Sequence, residues 1–209
     1  MSGSTAEVSL DRLVEGNARF LERLGREAPL PDHPGRAALV GEQTPFAVVL
    51  GCADSRVPPE VVFDAGLGDL FVVRVAGTIA TPTQLGSIEY AVDALGCRQI
   101  LVLGHTRCGA VAATLAHLAA PSDDLSPNLA AIVGEIAPAV GETGGTGAGV
   151  VEPEERLSRA VRANTRAAAA RLPAASGVIA RAIAEDGLRV VAAEYSLETG
   201  AVTILDPTA

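Results

Sequence analysis

Several kinds of segment are missing from this chain of 209 residues, and each absence removes a class of function. No apolar run approaches the roughly 18 residues that mark a membrane span. Nor is there a polybasic stretch: 16 Lys and Arg stand against 25 Asp and Glu, for a net charge of −9. A chain so acidic lacks the basic face that nucleic acid or an anionic membrane surface requires, so neither is expected as a partner. The opening residues, MSGSTAEVSLDRL, have neither the basic start nor the apolar stretch of a secretion signal, which points to a cytoplasmic protein. Cysteine is scarce. Three of them (Cys52, Cys97 and Cys108), an odd number in an unexported chain, argue against a disulfide framework and leave metal ligation or burial. The absence of Cys-x-x-Cys excludes thioredoxin-like redox chemistry. The glycine-rich stretch 141–150, GETGGTGAGV, lacks the Gly-Lys-Ser/Thr ending of a phosphate-binding loop and follows no strand, so it reads as a flexible loop.

What is present is a hydrophobic content of 48%, enough to bury one sizeable core, and no internal repeat. Residues 9–25 read as an amphipathic helix with Leu10, Leu13, Val14, Leu21 and Leu24 on one face and Gly25 at its end. APLPDHPG follows as an extended connection, since each proline biases its predecessor away from helix. The runs FAVVLGC (46–52), LFVVRVAG (70–77) and ILVLGH (100–105) are short, β-branched and nearly continuous in apolarity, as strands covered on both faces are. PTQLGSIEYAVDALG between the second and third is helical, with Leu85, Ile88, Ala91, Val92 and Leu95 at helical spacing. Strand, helix, strand in that order predicts a parallel sheet with right-handed crossovers. A helix is predicted from about Cys108 to Pro121, a long one carries Leu157, Val161, Ala168 and Leu172, and another covers 174–186. LRVVAAEYSLETGAVTIL then gives two strands joined at ETG, a hairpin closing one sheet edge. The fold class is α/β, one domain over 1–209 with a central, mostly parallel sheet flanked by helices.

The first strand breaks at Gly51 into Cys52, Asp54 and Arg56, a combination that packing does not call for. The third ends in GHTRCGA, which sets His105 and Cys108 at the same, carboxyl end of the sheet, where ligands of open parallel sheets bind. Two thiolates and an imidazole form a donor set suited to zinc. Three protein ligands leave a fourth position for water, the pattern of catalytic rather than structural zinc. Cysteine is also among the most buried residue types, so simple packing competes at each position. Cys97 has no partner pattern and reads as packing; His33 and His117 read as structural or solvent-facing.

CADSR and GHTRCGA, with GLGDLFVVR, LGSIEYAV and YSLETG, resemble the β-class carbonic anhydrases over most of the chain. The resemblance implies reversible hydration of carbon dioxide to bicarbonate and a proton, through a zinc-bound hydroxide, with one zinc per chain on Cys52, His105 and Cys108. It implies a homo-oligomer, a dimer or dimer of dimers, in which an N-terminal arm (1–35) packs on the partner subunit. The family's substrate pocket, at its dimer interface and shared between neighbouring chains, falls on Gln43, Phe71 and Tyr90. The backbone amide that follows the second cysteine falls on Gly109. The family's frequent RNAGN is RVAGT here (74–78), which alters that loop's hydrogen bonding. Val49 stands where the bicarbonate-regulated branch has tryptophan, so the sequence resembles the plant-like branch. Relatives that hydrolyse carbonyl sulfide or carbon disulfide share this site and stay open as alternatives. A non-catalytic zinc scaffold would be favoured by the loss of Asp54 or Arg56, and both are present.

In the reading of the site, Asp54 accepts a hydrogen bond from the zinc hydroxide and so turns a lone pair toward the carbon of carbon dioxide. Arg56 holds that carboxylate bidentately and keeps it off the metal. Zinc-bound water ionises near pH 7 in the three-histidine carbonic anhydrases. Two thiolates neutralise the metal's charge, so ionisation is expected above that value and hydration should decline below about pH 8.

Overall fold

Consecutive buried apolar residues build the centre of the molecule. The computed structural model describes residues 5–24, 38–121, 124–141 and 152–207. In it, β1 (Ala47–Gly51) and β3 (Gln99–His105) are buried at every position. With β2 (Leu70–Arg74), β4 (Arg189–Tyr195) and β5 (Val202–Pro207) they form one sheet in the order β2-β1-β3-β4-β5. The first four strands are parallel and β5 runs antiparallel to β4, the predicted edge hairpin. The fold is therefore a single α/β domain on a mixed, mostly parallel sheet.

The helices are α1 (Ala6–Arg23), α2 (Pro59–Val62), α3 (Pro82–Asp93), α4 (Gly109–Ala119), α5 (Pro127–Val140), α6 (Pro153–Ala175) and α7 (Gly177–Glu185). Side chains alternate along a strand, so β1 feeds two layers. Val48 and Leu50 meet Ile88 of α3, Leu172 of α6 and Ile179 of α7. Ala47 and Val49 belong with Leu13 of α1 and Val62 of α2 on the opposite face. Helix α6 lies close on β3 because Gly104 has no side chain; a Cβ there would sit 2.0 Å from Thr165 Oγ1.

Four helices depart from the sequence reading, the short α2 among them because the reading contains no helix at 59–62. The helix predicted over 174–186 begins at Gly177. Ser176, with φ −133°, ends α6, and its hydroxyl accepts from the Ile179 N–H to cap α7. Helix α5 has no counterpart in the reading, although Ser126 followed by Pro127 is an N-cap and first-turn signal. On α1 the buried stripe is Ala6, Ser9, Leu13, Gly16 and Asn17. Of the predicted apolar face only Leu13 is fully buried, while Val14 and Leu24 stay 53% and 49% exposed. Asn17 explains the rotation. Its amide donates to the carbonyls of Val62 and Gly200 and accepts from the Val202 N–H, tying α1 to α2 and the hairpin. The extended connection at 28–35, with His33, and the glycine-rich loop past Gly141 lie outside the described residues. No helix among the described residues is long and apolar enough to cross a membrane.

Candidate metal centre

Chain order fixes the location. From β1 the chain moves outward to β2, then crosses to β3 on the other side of β1. Neighbouring loops diverge at such a switch point, and a crevice opens beyond the carboxyl ends of the two strands. Cys52 directly follows β1 and His105 ends β3. Cys108 precedes α4. The ligand-capable atoms of these three buried residues lie within 4.8 Å of one another. Cys52 and Cys108 also belong to a third apolar cluster with Ile79, Val111 and Ile136, which shields the site from bulk solvent.

Hydrogen bonding aims each donor. The Gly77 N–H donates to Cys52 Sγ at 3.4 Å. Gly77 sits at φ 82°, and a Cβ there would lie 2.5 Å from Ile136 Cδ1, so only glycine brings that amide to the sulfur. The Asn164 amide fixes the same residue by donating to its carbonyl at 2.7 Å. In the RVAGT loop the Thr78 hydroxyl donates to the Leu103 carbonyl at 3.3 Å, the bond this chain's threonine supplies. His105 Nδ1 lies 3.0 Å from the Thr106 carbonyl, which directs a proton to Nδ1 and leaves Nε2 as the electron-pair donor. That Nε2 is fully buried and has no hydrogen-bond partner among the described residues. An orphaned buried nitrogen is costly unless something binds it, and here it faces two sulfurs. Hydrogen bonding from the Cys108 thiol holds Cys52 far below the ordinary thiol range, while the Cys52 sulfur and burial push Cys108 far above it. Two sulfurs with one imidazole are a donor set that fits zinc.

Asp54 stands beside the cluster, its Oδ2 3.9 Å from His105 Nε2, too far for a hydrogen bond. Arg56 holds it through its backbone N–H (2.9 Å), Nε (2.9 Å) and a terminal nitrogen (2.7 Å). The Arg56 guanidinium keeps the Asp54 carboxyl well below the usual carboxylate range, so it stays ionised at any working pH. One residue here was missed by the sequence reading. Arg74, ending β2, donates to the carbonyls of Cys52 (2.8 Å) and Asp54 (2.5 Å) and so fixes the CADSR turn. A lone cation closing an apolar run, LFVVR, was the available signal.

The remaining sequence-predicted residues divide. Gly109 opens α4 immediately after Cys108. Phe71 and Tyr90 approach with ring centroids 6.2 Å apart, and Tyr90 and Gln43 line one open depression. That group lies at the other end of the strands, however, since Phe71 is in register with Val48 whereas Arg74 is in register with Gly51. Within one chain it is separate from the metal centre. Cys97 is buried and hydrogen-bonds the Pro45 carbonyl, and burial pushes its thiol up to about 11, as packing predicts. His117 is half-buried on α4.

Comparison with known proteins agrees with this geometry. The carbonic anhydrase family profile matches residues 47–202. Carbonic anhydrase 2 of Mycobacterium tuberculosis (strain ATCC 25618 / H37Rv) is 41% identical over 201 residues, spanning 93% of this chain and 90% of that protein. The mitochondrial β carbonic anhydrase 6 of Arabidopsis thaliana is 38% identical over 117 residues, 53% of this chain and 40% of that one. The backbone superposes on a tetrameric β-carbonic anhydrase of Sordaria macrospora with a TM-score of 0.75 at 24% identity, covering 96% of this chain and 99% of the other. For the Coccomyxa β-carbonic anhydrase in complex with acetazolamide the TM-score is 0.72 at 25% identity, over 95% and 87% of the two chains. A sheet whose switch point gathers two sulfurs and an imidazole, in a chain alike to these proteins over most of its length, belongs to the β-class carbonic anhydrase family of enzymes.

Proposed function

We propose that this chain hydrates carbon dioxide reversibly to bicarbonate with one zinc ion held by Cys52, His105 and Cys108. When bound there, zinc would act as a Lewis acid that acidifies water, making a nucleophile available near neutral pH. Asp54 presents its ionised Oδ2 beside the cluster and would accept a hydrogen bond from the attacking water there, which would orient the lone pair that attacks. Arg56 occupies both Asp54 oxygens, so the carboxylate is restrained from turning onto the metal ligands. Arg74 keeps the turn that carries both residues in place. The Gly109 amide, at the start of α4, would stabilise developing negative charge with a helix N-terminus behind it.

We place the substrate pocket between two copies of the chain, where Gln43, Phe71 and Tyr90 of one would meet the metal centre of the other. Their distance from their own centre supports this, as does the tetrameric state of the Sordaria relatives. The 1–35 arm would lie on the partner, covering the exposed Val14 and Leu24. Val49 and the three pocket positions favour the plant-like, unregulated branch. Three free cysteines, two needed as thiolates, fit a reducing compartment, so we assign the enzyme to the cytoplasm.

The observation that carries the reading is the buried, unpartnered His105 Nε2 facing two sulfurs beside an arginine-held carboxylate. Stopped-flow carbon dioxide hydration on metal-quantified protein tests it. Wild type should contain zinc and turn over, and Cys108→Ala should lose both; a zinc-free Cys108→Ala that hydrates carbon dioxide at the wild-type rate would refute it.

A further inference from the structure

The connection from His105 to Cys108 carries two of the three zinc ligands, and its own four residues do not explain how it keeps its shape. Arg107 stands at φ 56°, a left-handed conformation that residues other than glycine rarely adopt. The explanation lies on the hairpin between β4 and β5. The Thr106 N–H donates to the Tyr195 carbonyl at 2.9 Å. The Leu197 N–H donates to Thr106 Oγ1 at 3.0 Å, and that hydroxyl donates onward to Glu198 Oε2 at 2.9 Å. The other Glu198 oxygen, Oε1, lies 2.8 Å from Arg107 Nε. One carboxylate thus spans two consecutive residues of the ligand-bearing turn.

The consequence reaches the ligand through the Thr106 peptide. Its carbonyl is the partner of His105 Nδ1, so whatever fixes that peptide fixes the tilt of the ring and the aim of Nε2. Arg107 also meets Glu154, at 3.0 Å, and both of its ion pairs are open to water, 58%/80% exposed with Glu154 and 58%/46% with Glu198, so neither pair by itself holds much. Glu198 differs because it engages a hydroxyl that is already committed in the opposite direction to Leu197. We propose that Glu198 is a positioning residue for the metal centre: it locks Thr106 and Arg107 so that His105 and Cys108 are presented to the ion together. This inference rests on the zinc reading above.

The test follows zinc leaving the loaded protein into a chromophoric chelator, alongside the visible spectrum of the cobalt-substituted protein, whose bands report the shape of the ligand set. Glu198→Ala should release zinc about tenfold faster, the lower end of the affinity loss that follows when a ligand's supporting bonds are removed, appearing here in the release rate. Glu198→Gln, which keeps an acceptor for Thr106, should release it at an intermediate rate. The cobalt bands of Glu198→Ala should shift, and the melting midpoint of its metal-free form should match wild type. Glu155→Ala, which removes the exposed Arg159–Glu155 pair on α6, should leave release unchanged. Wild-type release with unaltered cobalt bands in Glu198→Ala would overturn the proposal. So would faster release that merely follows a lowered midpoint, with the bands unmoved. If Glu198→Ala does not fold, Thr106→Val carries the same prediction and the same refutation. Failure of the underlying zinc reading looks different, because wild type itself would then hold no zinc to release.

Discussion

Replacing Asp54 with asparagine should separate the site's kinetic role from its structural one. The carboxylate accepts three hydrogen bonds from Arg56, but that guanidinium is 54% exposed, so water competes for the pair. Screened pairs of this kind contribute under about 1 kcal/mol, and Asp54→Asn should cost no more than that in urea denaturation. Turnover is another matter. The amide puts an N–H₂ where the ionised oxygen stood, so the site loses an acceptor and gains a donor pointing at the attacking group. Positioned acid–base groups contribute about 100-fold or more, equivalent to about 2.7 kcal/mol on the barrier. The assay is stopped-flow hydration with a pH indicator, normalised to zinc content, which should remain at the wild-type level because all three ligands are intact. Turnover close to wild type in zinc-replete Asp54→Asn would refute the assigned role. A stability loss as large as the kinetic one would refute it too, since the residue would then be supporting the fold.

Gly77→Ala should destabilise by about 2–3 kcal/mol, from the positive φ and the clash with Ile136, and should weaken zinc binding by moving the amide that serves Cys52; trimming Ile136 to valine should recover part of the loss in chemical denaturation. Burial raises the Asp64 carboxyl, but Arg19 and Arg23 more than offset this and hold it below its usual value. A depressed carboxyl stabilises the fold above its unfolded value of about 4 and loses that contribution as pH falls through the folded one. The stability gap between wild type and Asp64→Asn should therefore be full at pH 7 and close on acidification, and a gap unchanged at pH 3 would contradict it. Hydration itself should decline below about pH 8, since two thiolates reduce the charge the metal exerts on water; a pH–rate profile flat down to about pH 6 would contradict that.

The strands, and the two cysteines and one histidine that the sheet gathers, were legible because each is written locally. A continuous β-branched run ending in Gly51 or Gly104 marks a buried strand and its exit, and the chemistry stands in the next few residues. Helix α1 was legible as a helix but not in its orientation. Asn17 and Gly16, which face the core, are poor hydrophobes by composition and reveal their place only through bonds to Val62 and Gly200 and close approach to Phe63. The break between α6 and α7 was legible but read early, at 174 where α7 begins at Gly177, because one serine both ends α6 and caps α7 just after an alanine-rich stretch. Arg74 and Glu198 illustrate the limit most clearly. Each acts on residues supplied by another strand or loop, so its role exists only after the sheet has formed.

Titration of metal-free protein with zinc, followed by carbon dioxide hydration, tests the central claim most directly. Activity should rise linearly and break at one zinc per chain, and a chelator should abolish it. Full activity in the metal-free protein, or a break at any other stoichiometry, would contradict the assignment of Cys52, His105 and Cys108 as one catalytic centre.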